Sequence, residues 1–189
     1  MWLVNIADSN PIKNNYQRGG MRSLHGLVLH VEDGTERGTF EQFNATDAQL
    51  AKHGDNPASA HFGNPREGRL EQFVDTFDVA WAECAGNRDW ISVENEGRVG
   101  EKLTDSQIWN LALLFAWLHW NEGVPFNLAE KPSDFGLGYH SMGGKAWGHP
   151  YCPGGPIIRQ RTAILKLAQT LPQQRFGFPG VDDLKSSVA

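Results

Sequence analysis

The sequence predicts a single α/β domain, and three observations carry that prediction. Residues 24–30 form an apolar run, Leu24-His25-Gly26-Leu27-Val28-Leu29-His30, suited to a buried strand. Residues 59–74 and 90–97 contain segments that alternate apolar and polar side chains, the period of half-buried strands. Residues 104–120 and 157–169 repeat apolar side chains every three or four positions, as a helix packed on one face does. With 189 residues the chain has enough material for one sizeable core.

Taken in order, residues 2–6 suggest a short edge strand. Residues 9–20, polar and holding Pro11 and Gly19-Gly20, read as a loop. The strand at 24–30 delivers His30 at its C-terminal end, where sites in α/β folds gather. His25, on the same strand, is expected on the opposite face in a structural role. Glu32-Asp33-Gly34-Thr35 turns the chain, and Thr46 to Lys52 reads as a short capped helix. Ser59–Asn64 and Arg69–Val74 flank the turn Pro65-Arg66-Glu67-Gly68 and predict a hairpin. Asp78–Trp81 leads into a polar loop that runs to Asp89. In the strand from Trp90 to Gly97, Ile91 and Val93 share one face, while Ser92, Glu94 and Glu96 share the other. Thr104-Asp105 caps the strongest helix, which ends at Glu122-Gly123 and Pro125; His119 on it reads as a surface or boundary residue. Pro156 opens the last helix, whose candidate core is Ile157, Ile158, Ile164, Leu165 and Ala168. Residues 171–189 read as a loosely packed tail or a linker.

Composition excludes several classes. A net charge of −5 argues against a nucleic-acid partner, which wants a basic face. No run approaches the roughly 18 apolar residues of a membrane span. The N-terminus lacks the basic and long apolar regions of a signal peptide, so the chain is expected to be made in the cytoplasm without one. Two cysteines, Cys84 and Cys152, make no disulfide framework. One bridge between them is the alternative to a metal-binding or reactive role.

The glycine-rich stretch 138–155 holds two soft metal donors, His140 and Cys152, among Tyr139, Trp147 and Tyr151, aromatics that argue against disorder. It reads as two thirds of a zinc site completed by His30; the alternative for His30 is a satisfied polar residue at a strand end. Three protein ligands with a fourth position open is the catalytic arrangement. Zinc there lowers the pKa of water to about 7 and polarises a carbonyl, and an amide is a natural target. Glu94, flanked by Val93 and near Trp90, is the candidate base, its pKa raised if its surroundings are dry. An exposed carboxylate or a salt bridge is the competing reading.

Five short pieces then fall into one order. They are Leu27-Val28-Leu29-His30; Ala58-Ser59-Ala60-His61-Phe62 with Gly68-Arg69-Leu70-Glu71-Gln72; Asp78-Val79-Ala80-Trp81 with Asn87; Ile91-Ser92-Val93-Glu94-Asn95-Glu96-Gly97; and His140 with Cys152-Pro153-Gly154. Together they resemble the zinc-dependent N-acetylmuramoyl-L-alanine amidases of the type-2 amidase and peptidoglycan-recognition-protein superfamily. The resemblance covers residues 22–170, leaving 1–21 as an N-terminal extension and 171–189 as a C-terminal tail. It implies a mixed central β-sheet flanked by α-helices, and hydrolysis of the amide between N-acetylmuramic acid and L-alanine of the stem peptide. By the same resemblance His30, His140 and Cys152 hold Zn2+, Glu94 is catalytic and His61 is structural. Some members use a tyrosine where Ala60 stands, which leaves the base role to Glu94. Pro150 replaces the Lys or Thr that often steadies the oxyanion, so His149 or Lys145 is expected to substitute. Ala82 replaces a groove histidine.

The implied partner is peptidoglycan, both glycan strand and stem peptide, bound by a monomer. The expected setting is the cell wall, reached through a holin or a secretion system, with an immunity protein as partner in the secreted-effector case. A binding module without activity and a cytoplasmic muropeptide-recycling amidase are the alternatives.

Overall fold

The computed structural model describes residues 5–176. In chain order its elements are strands β1 (Ala7–Ser9), β2 (Tyr16–Gly20) and β3 (Gly26–Leu29), helices α1 (Glu36–Phe43) and α2 (Asp47–His53), strands β4 (Phe62–Asn64), β5 (Leu70–Gln72), β6 (Asp78–Ala80) and β7 (Trp90–Asn95), helix α3 (Asp105–Glu122), strand β8 (Gly136–Tyr139) and helix α4 (Gly155–Ala168). Short 3-10 helices lie at Cys84–Gly86, His140–Ala146 and Gln173–Phe176.

Six strands form one mixed sheet in the order β1-β5-β4-β7-β3-β8. β4, β7, β3 and β8 run parallel, and β5 returns antiparallel beside β4. β2 and β6 pair as a separate antiparallel ribbon. The expected α/β architecture, a mixed central sheet flanked by helices in one domain, is the one observed.

The main core lies between the sheet and helices α3 and α4. Leu27, Leu29, Phe62, Ile91 and Val93 pack there against Leu111, Leu114, Phe115, Leu118, Ile157 and Ile164. Because side chains alternate along a strand, filling that face sends Val28, His30, Ser92 and Glu94 to the other. A smaller cluster of Val28, Trp90, Ala129 and Trp147 covers part of this second face. Thr104 and Gln107 form a capping box at the start of α3, and Gln107 also donates to the carbonyls of Asn64 and Glu96, tying the helix to the ends of β4 and β7. Buried Arg161 on α4 donates to the carbonyls of Ala129 and Leu137 and pairs with Glu130, which fixes α4 against β8.

Several local expectations change. Of the edge strand expected at 2–6, residues 2–4 lie outside the described residues; the observed edge strand is β1, which follows it. The loop expected at 9–20 contains β2, whose partner β6 is far away in sequence. Helix α1 was not expected: only Phe40 and Phe43 give it apolar character, too few for a helical stripe. Strand β8 was not expected either, since Gly136 and Gly138 weaken its strand signal. It forms because β3 offers it a partner. Leu171 and Phe176 are buried at the start of the expected tail, and 177–189 lie outside the described residues. No helix of the described residues is long and apolar enough to cross a membrane.

Two predictions follow from the packing. A methyl group at Gly26 would run into the backbone of Gly136 on the paired strand. Gly26→Ala is therefore expected to destabilise the fold by about 1–3 kcal/mol, measured by urea unfolding. The Glu36 carboxyl is pushed up to about 10, first by burial and then by Glu32, Glu71 and Glu96. A folded-state pKa above the unfolded value means that stability falls as pH rises from about 4.5 toward 10. Glu36→Gln is expected to raise Tm at pH 8 and to lose that advantage near pH 4, read by calorimetry at the two pH values.

Candidate metal centre

The pairing register assembles the site. Leu29 stands opposite Val93 on one side and Tyr139 on the other. The next residues on the three parallel strands are therefore His30, Glu94 and His140, level with one another at the C-terminal ends. The His30 N–H donates to the Val93 carbonyl at 3.0 Å, and Asn95 Nδ2 donates to the His30 carbonyl at 2.7 Å, so the backbone that carries His30 is held on both sides. Cys152 arrives just before α4. The Ser141 N–H donates to its carbonyl at 2.9 Å, and the Val31 N–H lies 3.4 Å from its sulfur. Gly154, with φ of 93°, turns the chain from Cys152 into the helix in a conformation that favours glycine.

One nitrogen of His30, one of His140 and Sγ of Cys152 all lie within 4.8 Å of one another. His140 Nε2 donates to the Trp147 carbonyl at 2.9 Å, which leaves its Nδ1 with the lone pair. His30 Nε2 lies 3.0 Å from Oε1 of Glu83, and its Nδ1 lies 3.7 Å from Oε1 of Glu94. Burial, then His149, pulls His30 down to about 3; burial, then His30, does the same to His140. Both rings are thus neutral and able to ligate at neutral pH. Trp147 is buried against Gly86 and Gly143, whose missing side chains make room for its indole.

The acidic groups tell the complementary story. Burial, then Glu32 and Glu83, pushes Glu94 well above the usual carboxylate range; burial does the same to Glu83. Burial, then Glu94, pushes the Cys152 thiol up. One oxygen of Glu83 and one of Glu94 are buried without a hydrogen-bond partner. Among the described residues no lysine or arginine pairs with either carboxylate; their ion-pair contacts are to His30. Two neutral imidazoles, a thiol and two carboxyls gathered without a fixed cation fit a divalent metal, and imidazole with thiolate is a donor set zinc accepts.

The structure brings His30, His140, Cys152 and Glu94 together. His149 is exposed, with its ring 5.3 Å from that of His140. Lys145 is exposed, and among the described residues no hydrogen bond or ion pair links it to the cluster. His61 is buried between Ser92 and the Asp78 carbonyl, held at both ring nitrogens. Cys84 and Cys152 are both free. Glu83 escaped the sequence reading. It lies in the polar connection between β6 and β7, and nothing local in Ala82-Glu83-Cys84 signals that its side chain is fully buried.

The family described as N-acetylmuramoyl-L-alanine amidase matches residues 20–155. A solved structure of a selenomethionine AmpD derivative is similar at 20% identity and TM-score 0.63, over 87% of this chain and 96% of that one. The endolysin N-acetylmuramoyl-L-alanine amidase LysCS from Clostridium intestinale is similar at 16% identity and TM-score 0.59, over 86% and 98%. The Staphylococcus aureus hydrolase AmiA, solved with its ligand, is similar at 14% identity and TM-score 0.61, over 88% and 83%. A search of curated proteins returns no match.

Proposed function

Because this chain belongs to the N-acetylmuramoyl-L-alanine amidase family, we propose that it is a zinc-dependent peptidoglycan hydrolase that cuts the amide between the lactyl group of N-acetylmuramic acid and L-alanine. The observation that carries this reading is the convergence of His30, His140 and Cys152 beside the buried carboxyl of Glu94.

His30, His140 and Cys152 would hold the ion, which supplies Lewis acidity toward the scissile carbonyl and toward water. Glu94 takes the proton of the attacking water and returns it to the departing nitrogen of L-alanine. Its side chain is 15% exposed, enough for substrate to reach it, and a divalent ion beside it would favour the ionised carboxylate that the base role needs, against the opposing effect of burial. The proposed donor to the carbonyl oxygen, as charge develops there, is His149, whose exposed ring lies 5.3 Å from that of His140. Lys145 is assigned no part.

The reading includes a lytic role on the cell wall, in keeping with a fold shared with a named endolysin, peptidoglycan as the bound partner, in keeping with the family, and a monomer as the proposed working unit.

Mass spectrometry of digested sacculi tests the bond. The expected products carry a free lactyl carboxyl and a free L-alanine amine, and clearing of the suspension accompanies them. Cleavage of any other bond would overturn the assignment. Cys152→Ala is expected to lose zinc and cleavage together, read by metal analysis and product release. Glu94→Gln is expected to keep its zinc and lower kcat by about 10²–10⁴-fold, because a proton carrier is lost and no ligand is.

A further inference from the structure

The geometry points to Glu83 as the positioning residue that sets His30 for the cation, by accepting the Nε2–H of the ring and leaving Nδ1 to ligate. This inference rests on the metal-binding reading above.

Glu83 has no exposed side-chain surface, and its Oε1 lies 3.0 Å from His30 Nε2. Burying a carboxyl is unfavourable unless it has a specific partner, and among the described residues its only side-chain partner is His30. The backbone is built to turn it inward from the connection between β6 and β7. The Glu83 N–H donates to Asn87 Oδ1 at 2.6 Å, and the Gly86 N–H donates to the Glu83 carbonyl at 2.9 Å. Cys84, directly after it, sits at φ of 49°, a left-handed conformation that a side-chained residue adopts at a cost. That turn would be an unfavourable way to make an ordinary surface loop.

The two rings are alike in geometry and differ in the kind of group at Nε2. Both have Nε2 engaged, His140 by the neutral Trp147 carbonyl and His30 by a carboxyl. A side-chain acceptor at Nε2 fixes the tautomer and the orientation of the ring and leaves Nδ1 its lone pair. The two acceptors are also mechanically joined, since Gly86 packs against the indole of Trp147. Glu83 thus acts through His30 and does not touch substrate; Glu94 stands at the other ring nitrogen, 3.7 Å away.

The test measures Zn(II) affinity of the full chain by chelator competition for wild type, Glu83→Ala and Glu83→Gln. The visible absorption of the Co(II) forms and the Tm of the metal-free forms are measured alongside. Glu83→Ala is expected to bind Zn(II) about 10–100-fold more weakly, with a shifted Co(II) spectrum and an unchanged metal-free Tm. Glu83→Gln, which keeps a neutral acceptor, is expected to recover part of the loss. Affinity within twofold of wild type in folded Glu83→Ala, or an unchanged Co(II) spectrum, overturns the inference while leaving the metal site standing. Should Glu83→Ala fail to fold, Glu83→Gln decides, and binding within twofold of wild type overturns the role. A wild-type chain that takes up no Zn(II) overturns the metal-binding reading and this one with it.

Discussion

The register between β7, β3 and β8 is the constraint on which the site depends. Because Leu29 aligns with both Val93 and Tyr139, two imidazoles and a carboxyl come level at adjacent strand ends. A slip of one residue in a strand would turn its whole set of side chains to the opposite face. The hydrophobic face forbids that slip, since Leu27, Leu29, Ile91 and Val93 would then leave the helices and meet the polar side. The greasy half of the sheet thereby holds the polar half in place.

The polar half is poorly suited to be a protein interior by itself. It gathers two carboxyls and a thiol beside two neutral imidazoles, with two carboxyl oxygens unpartnered. Stability alone would favour apolar residues at such positions. A bound divalent ion would resolve the conflict, because it would favour the ligating or ionised form of these groups. Local rules of burial are broken at the place where the chemistry is proposed, as is common for functional sites.

The long segment after β8 shows how weak local preference becomes definite structure. Its glycines and prolines carry little secondary-structure signal, yet Trp147 anchors the segment by filling the space left at Gly86 and Gly143. That anchor brings the Trp147 carbonyl to His140, and the Ser141–Cys152 hydrogen bond brings the sulfur back to the same place. Loop order and ring orientation are one packing event.

The strands around Leu27 and Ile91, the helices around Leu111 and Ile164, and the three side chains that the fold brings together at the site, His30, His140 and Cys152, could be read from the chain alone. Periodicity and donor chemistry are local properties, and a local pattern survives without the fold. Helix α1, strand β8, the ribbon of β2 with β6 and the burial of Glu83 could not be read that way. Each is stabilised by partners far off in the chain: β8 by β3, β2 by β6, Glu83 by His30 at a separation of 53 residues. Sequence determined which groups were available for chemistry. Only tertiary structure decided which nitrogen of each ring is engaged and which is left facing the cluster, because that choice is made by the partner the folded chain brings to each Nε2.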